Sequence, residues 1–495
     1  MTVQRGFHTE VRDHGKKQLE FRSHYPLTDS KIDRYTVDVW MYFPLPLGIN
    51  GQDYGVDRFF SDIKCLTRYS ASYIPLPRLV DPDCDISPLH RIRKALSGAS
   101  LPQDIARKTI LYELRSLANI YESEIIASER IMTDAVSEGR MSVVKDTIKG
   151  NLKDIKAFLD NWRDLYSLFL EPAVDTRLRE AYAWTDESIS ITTEKALHDL
   201  HLSISPDDEA PSLVKRINKI MEGEEEHRRT MGYRSLPSEA SSSEAERRIY
   251  RESVLKKWGQ SALYLNHEES TASRNMGHIL AGIAAAAAMA FAVVVTLWAE
   301  SRFPGRSLPW ALAIIIAYIF KDRIKETLRN VLMHTFPSLV TDQRVKLIDQ
   351  ASGRRVGRVS GRARFLKAHT APPEISRVRN SGENPFRSIL PEEDLIQYRR
   401  EITIRNRILR KAHTRLDTFT DTIRFRLEHV FRGMDDPEKI IPILSGGKAT
   451  QIKGHRVYHL NVVIRLSHHG DPTGHIAHYR VVLNRDGLVR IENVG

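Results

Sequence analysis

Along most of the chain, apolar residues alternate with polar ones at short periods, but from Asn275 to Ala299 the alternation stops. These residues carry no formal charge and are closed by Arg274 and Glu300. As a helix the run is roughly 37 Å long, enough to cross a ~30 Å hydrocarbon core with some tilt. A second uncharged run, Ser307 to Phe320, measures roughly 21 Å as a helix, which is short for a crossing. Pro309 near its start, Trp298 and Trp310 around the connection, and Lys321, Arg323 and Lys325 beyond it favour a second crossing all the same. The connection holds Pro304 and Gly305 as turn formers.

The expectation is a two-helix transmembrane hairpin over 275–320, with spans near 277–299 and 307–322. Gly282, Ala286 and Ala290 on one arm, with Ala313 and Ala317 on the other, offer a small-residue packing face. Two alternatives stand beside it, a single crossing and a soluble fold with a buried alanine-rich helix. Lys257, Arg274, Lys321, Arg323, Lys325 and Arg329 flank the hairpin, against Arg302 and Arg306 in its connection. That asymmetry places both termini in the cytoplasm, at the inner face of the plasma membrane.

The flanking parts read as α+β. Residues 1–100 form a β-rich region in which Tyr35, Val37, Val39, Met41 and Phe43 alternate at period 2, and a second strand-like stretch runs from Arg58 to Pro75. Residues 101–270 turn helical. Ile110, Leu114, Leu117 and Tyr121 mark one stripe, and Ile148, Leu152, Ile155, Leu159, Trp162, Tyr166 and Phe169 mark a bundle seam. A Ser-rich linker lies near 236–246.

Residues 321–495 are read as a basic cytoplasmic α+β region. The second hairpin helix runs on past Arg323, 353–367 is irregular or strand-like, and helices resume over 392–433. There Leu416, Phe419, Ile423, Leu427 and Val430 fall three or four apart. An antiparallel meander closes the chain over 453–494. Tyr458, Leu460, Val462, Ile464 and Leu466 alternate in it, and Asn484 to Gly487 supplies a hairpin turn.

Composition refines this picture. Charged residues make up 28% of 495, so most of the chain is globular. The N-terminus lacks the apolar core of a signal peptide, which leaves targeting to the first span. Cys65 and Cys84 are too few for a disulfide scaffold. The net charge of +11 is concentrated, since 321–432 holds 25 Lys and Arg against 13 Asp and Glu.

Within that segment Arg354, Arg355, Arg358, Arg362, Arg364 and Lys367 form an acid-free cationic run. It suits an anionic lipid surface, at about 1 kcal/mol per cation near the bilayer. Nucleic acid is the less favoured partner, because only Phe365 is there to stack on bases.

Candidate chemistry is sparse. His455, His459, His475 and His478 crowd the meander as weak metal candidates, without cysteine or a regular ligand spacing. Asp81, Asp83 and Asp85 lack the rest of a calcium loop, and Asp435–Asp436 and the Glu222–Glu226 run read as turn and helix surface. Ser445-Gly-Gly-Lys448 is only a fragment of a phosphate loop, and the common hydrolase, metalloprotease and nucleotide-binding fingerprints are missing.

No cofactor is expected. The favoured function is a non-catalytic membrane-anchored scaffold or sensor that positions a protein partner, or a second copy of the chain, at the inner membrane surface. The alternatives are an effector binding nucleic acid or a nucleotide through the basic region, and a tethered enzyme with a dispersed site.

Overall fold

The computed structural model describes residues 7–97, 103–138, 141–204, 210–233, 242–269, 272–305, 307–335, 343–350, 352–381, 392–413, 415–416, 418–469 and 471–494. The linker expected near 236–246 falls largely outside these residues.

Two antiparallel sheets face each other across one apolar core. Their strands are β1 (His8–Asp13), β2 (Gln18–Pro26), β3 (Asp33–Pro44), β4 (Ile63–Tyr69), β5 (Leu265–Glu269), β6 (Gln343–Asp349), β7 (Arg355–Lys367), β8 (Glu393–Ile404) and β9 (Thr418–Arg426). After them come β10 (Glu438–Ser445), β11 (Lys448–His455), β12 (Tyr458–His468), β13 (Asp471–Asn484) and β14 (Gly487–Asn493). The larger sheet runs β14-β13-β12-β3-β8-β7-β6-β5, the smaller one β1-β2-β9-β4, and β10 with β11 forms a separate ribbon.

The alternation along β3 does what its period predicts. Tyr35, Val37, Val39, Met41 and Phe43 all enter the core between the sheets, where they meet Phe21, Tyr25, Phe419, Ile423 and Phe425 of the smaller sheet. On the reverse face Trp40 and Tyr42 are buried too, in a minor core with Ile375 and Leu395. β3 is therefore an interior strand, paired with β8 on one side and β12 on the other.

The N-terminal strands thus close no sheet of their own. β1 pairs only with β2, but β2, β3 and β4 all take partners from beyond residue 390, so the expected N-terminal and C-terminal β regions share one sandwich.

Helices α1 (Gly55–Asp62), α2 (Leu76–Val80), α3 (Pro88–Leu96), α4 (Gln103–Ser137), α5 (Met141–Asp164), α6 (Tyr166–Phe169), α7 (Thr176–Ser203), α8 (Pro211–Thr230) and α9 (Ser242–Gln260) follow the first strands. The stripes at 110–121 and 148–162 are buried in a second core, and Trp162 stacks on Tyr182 with ring centroids 4.5 Å apart. α10 (Ala272–Arg302) and α11 (Leu308–Thr335) form an antiparallel pair inserted between β5 and β6.

The stretch expected to be helical over 392–433 is instead β8 and β9, with only α13 (Asn406–Ala412) and α14 (Glu428–Arg432) as short helices; α12 (Pro373–Arg379) precedes them. The 353–367 segment is strand β7. At Gly357 in that strand, a Cβ would lie 2.5 Å from the Thr403 carbonyl, so only glycine permits this close pairing. The terminal meander is present, with β12, β13 and β14 paired in succession.

Candidate functional site

The α10–α11 pair is inside out by the standards of a water-soluble helix pair. Among the described residues, Ala284, Ala288, Ala299 and Ala317 are the apolar residues buried in it. Large side chains point outward, among them Leu297 at 61% exposure, Val294, Leu312, Ile316 and Phe320. In water an amphipathic pair buries its large residues and shows polar ones, whereas lipid reverses that demand.

The small-residue face is real but lies off the expected register. Gly282, Ala286 and Ala290 face outward, while positions 284 and 288 make the contact together with the correctly expected Ala317.

Among the described residues, one segment is long and apolar enough to cross a membrane, Ala281–Arg302, with a mean hydropathy of 2.1. The expectation of two full spans is not met by length and composition. The apolar part of α11 ends at Phe320, and Lys321, Asp322, Arg323 and Lys325 follow within the same helix.

Pairing at the base of the hairpin constrains its path. Leu265 to Glu269 of β5 lie antiparallel to Val345–Asp349 of β6, so the chain leaves and re-enters the same sheet edge.

The cationic run is β7 and the residue before it. The strand's own periodicity disperses the charges. From Arg355 to Lys367 it spans about 40 Å at ~3.3 Å per residue. Arg358, Arg362 and Arg364 share its outer face, and Arg362 opposes Arg399, which is bound to Asp38 through Nε at 2.6 Å. Lys367 is held by Asp394 at 3.2 Å. Arg354, Arg355, Arg358, Arg364 and Lys367 are exposed, and Arg362 is half-buried.

The four meander histidines are not brought together as one group. His455 sits on the ribbon, and His459, His475 and His478 oppose Val482, Leu466 and Val463 respectively. His455, His459 and His475 are exposed, while His478 is buried and paired through Nε2 with Asn461 Oδ1 at 3.2 Å. Burial, then the charges of Arg379 and Arg480, pushes His478 down to about 4.

Sequence reading missed three buried polar centres. Asp186 of α7 accepts from Trp162 Nε1 at 2.9 Å and Tyr233 Oη at 2.6 Å, with His227 Nε2 at 2.7 Å. Burial alone raises the Asp186 carboxyl, but the bonds from His227 and Tyr233 and the charges of His227 and Arg163 hold it below its ordinary range. Asp186, Glu187, Ser190, Thr193 and Glu194 recur at helical spacing as a polar stripe, the signal by which this centre was open to discovery.

A second centre joins the sandwich to the bundle. His413 binds Asp349 Oδ1 through Nε2 at 2.9 Å and the Tyr112 hydroxyl through Nδ1 at 2.7 Å. The third is Arg400 with Asp421, deep between the sheets.

The carboxylates of all three centres, Asp186, Asp349 and Asp421, are buried, and burial pushes the Cys65 thiol beside Arg400 up, away from the reactive thiolate. A cleft of about 780 Å³ opens between α3, α4 and α7, but its charges are largely matched, Arg91 with Glu113 at 3.3 Å and Arg107 with Asp175 at 3.2 Å. No known family model matches the chain, and no curated protein matches it in sequence.

Proposed function

We propose that this chain is a non-catalytic, membrane-anchored scaffold or sensor. Its sandwich and bundle stand on the cytoplasmic side of the inner membrane surface, held by a two-span hairpin. The observation that carries the reading is the inside-out α10–α11 pair, alanines inward and large aliphatics outward.

The pairing of β5 with β6 supports the second span. A chain that crosses once through α10 and then pairs with the strand it left has to cross back. The 14 uncharged residues of 307–320 reach further if Lys321 and Lys325 extend to the interface along their own stems. Basic residues at the outer flanks favour cytoplasmic termini, and the exposed cations of β7, Arg358 and Arg364 among them, favour an anionic leaflet beside the sheet. The broad sheet edges and the bundle surface then remain for a protein partner.

Single cysteines at Ser301 and Gln451, in a chain with Cys65 and Cys84 replaced by serine, test this topology. An impermeant maleimide on intact cells labels Ser301→Cys alone, and Gln451→Cys reacts only after permeabilisation. Labelling of both on intact cells, or recovery of the protein in the soluble fraction, overturns the reading.

A further inference from the structure

We propose that His8, Glu10 and His24 form a binding site for a divalent transition metal of the zinc type. The site lies on the smaller sheet, away from the hairpin, and does not depend on the membrane reading. His8 and Glu10 are two apart on β1 and so project from one face, and His24 of β2 stands directly opposite His8 in the strand register. One ligand atom from each of the three lies within 4.8 Å of the other two. His8 Nε2 is 3.7 Å from Glu10 Oε1, near the spacing of about 3.3 Å between ligand atoms around tetrahedral zinc. The two imidazoles lie nearly parallel, 4.7 Å apart between centroids. Modest side-chain rotation on this edge strand is therefore required to close the site.

A layer of supporting contacts orients the ligands. Thr420 Oγ1 lies 3.2 Å from His24 Nδ1 and 3.1 Å from Ser70 Oγ, so the ring is held from behind and its Nε2 is left for a metal. Arg12 binds the far oxygen of Glu10 at 2.6 Å, and Arg22 is occupied by Glu20 at 2.6 Å. Both arginines nevertheless add positive charge beside the site, which weakens the binding of any cation, so affinity has to come from the nitrogen donors. Two imidazoles and one carboxylate select zinc, nickel or copper over magnesium or calcium.

All three residues are half-buried, and three protein ligands leave a coordination position open to water or to a small exogenous ligand.

The test uses untagged full-length protein in detergent, stripped with chelator and titrated with zinc alone and, separately, with cobalt. The expected result is one tightly bound zinc per chain and a cobalt visible spectrum of nitrogen–oxygen ligation. Glu10→Ala and His8→Ala, at the sheet edge, abolish both signals, and Thr420→Val weakens zinc binding about tenfold by freeing the His24 ring. His455→Ala with His459→Ala changes neither. Circular dichroism confirms that each variant is folded, and Thr420→Val tests the site while retaining every ligand. Absence of stoichiometric zinc in the wild type, or unchanged affinity in folded Glu10→Ala and His8→Ala proteins, overturns the proposal.

Discussion

Arg400 of β8 and Asp421 of β9 meet as a bidentate ion pair between the two sheets, Nε to Oδ2 at 2.6 Å and Nη2 to Oδ1 at 2.9 Å. Both residues are 1% exposed. Thr67 adds a hydrogen bond to Asp421 at 2.8 Å, and the Tyr398 hydroxyl lies 3.5 Å from the guanidinium. The pair is a charged link across an interface built mainly of aromatic and aliphatic side chains.

Removing half of this pair leaves an unpaired buried charge, which costs about 3–5 kcal/mol, whereas replacing both partners by apolar residues costs far less. Asp421→Asn is therefore expected to lower the midpoint of thermal unfolding sharply in detergent-solubilised protein. Arg400→Met with Asp421→Leu is expected to recover most of the loss. Equal destabilisation by the single and double variants contradicts the account.

The buried His478 sets a pH dependence. Its unfolded value is the ordinary 6.5 and its folded value is about 4, so between these the unfolded chain binds the extra proton. The contribution to stability is complete above pH 6.5 and is lost as pH falls toward 4, amounting to at most about 3 kcal/mol. The melting temperature should fall across that window, and His478→Gln should reduce the slope there. A variant whose melting curve keeps the wild-type pH slope assigns the effect elsewhere.

Asp186 acts in the same direction at lower pH. Its folded carboxyl is held below the ordinary value of 3.8, so its stabilisation is present above that value and lost as pH falls through the folded one. Asp186→Asn keeps the volume but removes the anion facing His227, Tyr233 and Trp162, at a cost of about 3 kcal/mol. Guanidinium unfolding followed by tryptophan emission reads this directly, because Trp162 donates to Asp186. A midpoint within error of the wild type excludes the role.

The Arg400–Asp421 pair also explains which strands the sequence concealed. Along β8 the core face carries Ile396, Tyr398, Arg400, Ile402 and Ile404, and along β9 it carries Phe419, Asp421, Ile423 and Phe425. One charged residue interrupts each period-2 series. With Asp421 discounted as polar, Phe419, Ile423 and Leu427 fall four apart and imitate a helix. Each interruption finds its opposite charge in the other, 21 residues away, which no local window detects.

β3 and the meander carry clean alternation and were legible for that reason. The bundle seam was legible because Ile148 to Trp162 has no such break. The His8, Glu10 and His24 grouping depends on the β1–β2 register, so a spacing of 16 residues between histidines gave no motif.

The hairpin offers the sharpest contrast between environments. Ile316 is 51% exposed and Ala288 is 1% exposed. On the surface of a soluble helix, Ile316→Lys would be nearly neutral, within about 0.5 kcal/mol. In a bilayer, lysine near the centre of a span costs about 2.5–3.5 kcal/mol of insertion free energy, enough to shift a short arm such as α11 out of the membrane. Ala288→Leu acts differently. It places a large side chain where two helix backbones approach closely, costing about 1–3 kcal/mol in packing while making α10 more apolar. Ile316→Lys is therefore expected to reduce the carbonate-resistant membrane fraction and expose the β5–β6 root to protease. Ala288→Leu should leave that fraction intact and lower the melting temperature. If Ile316→Lys is silent in both assays, α11 lies in water and the hairpin is not a two-span anchor.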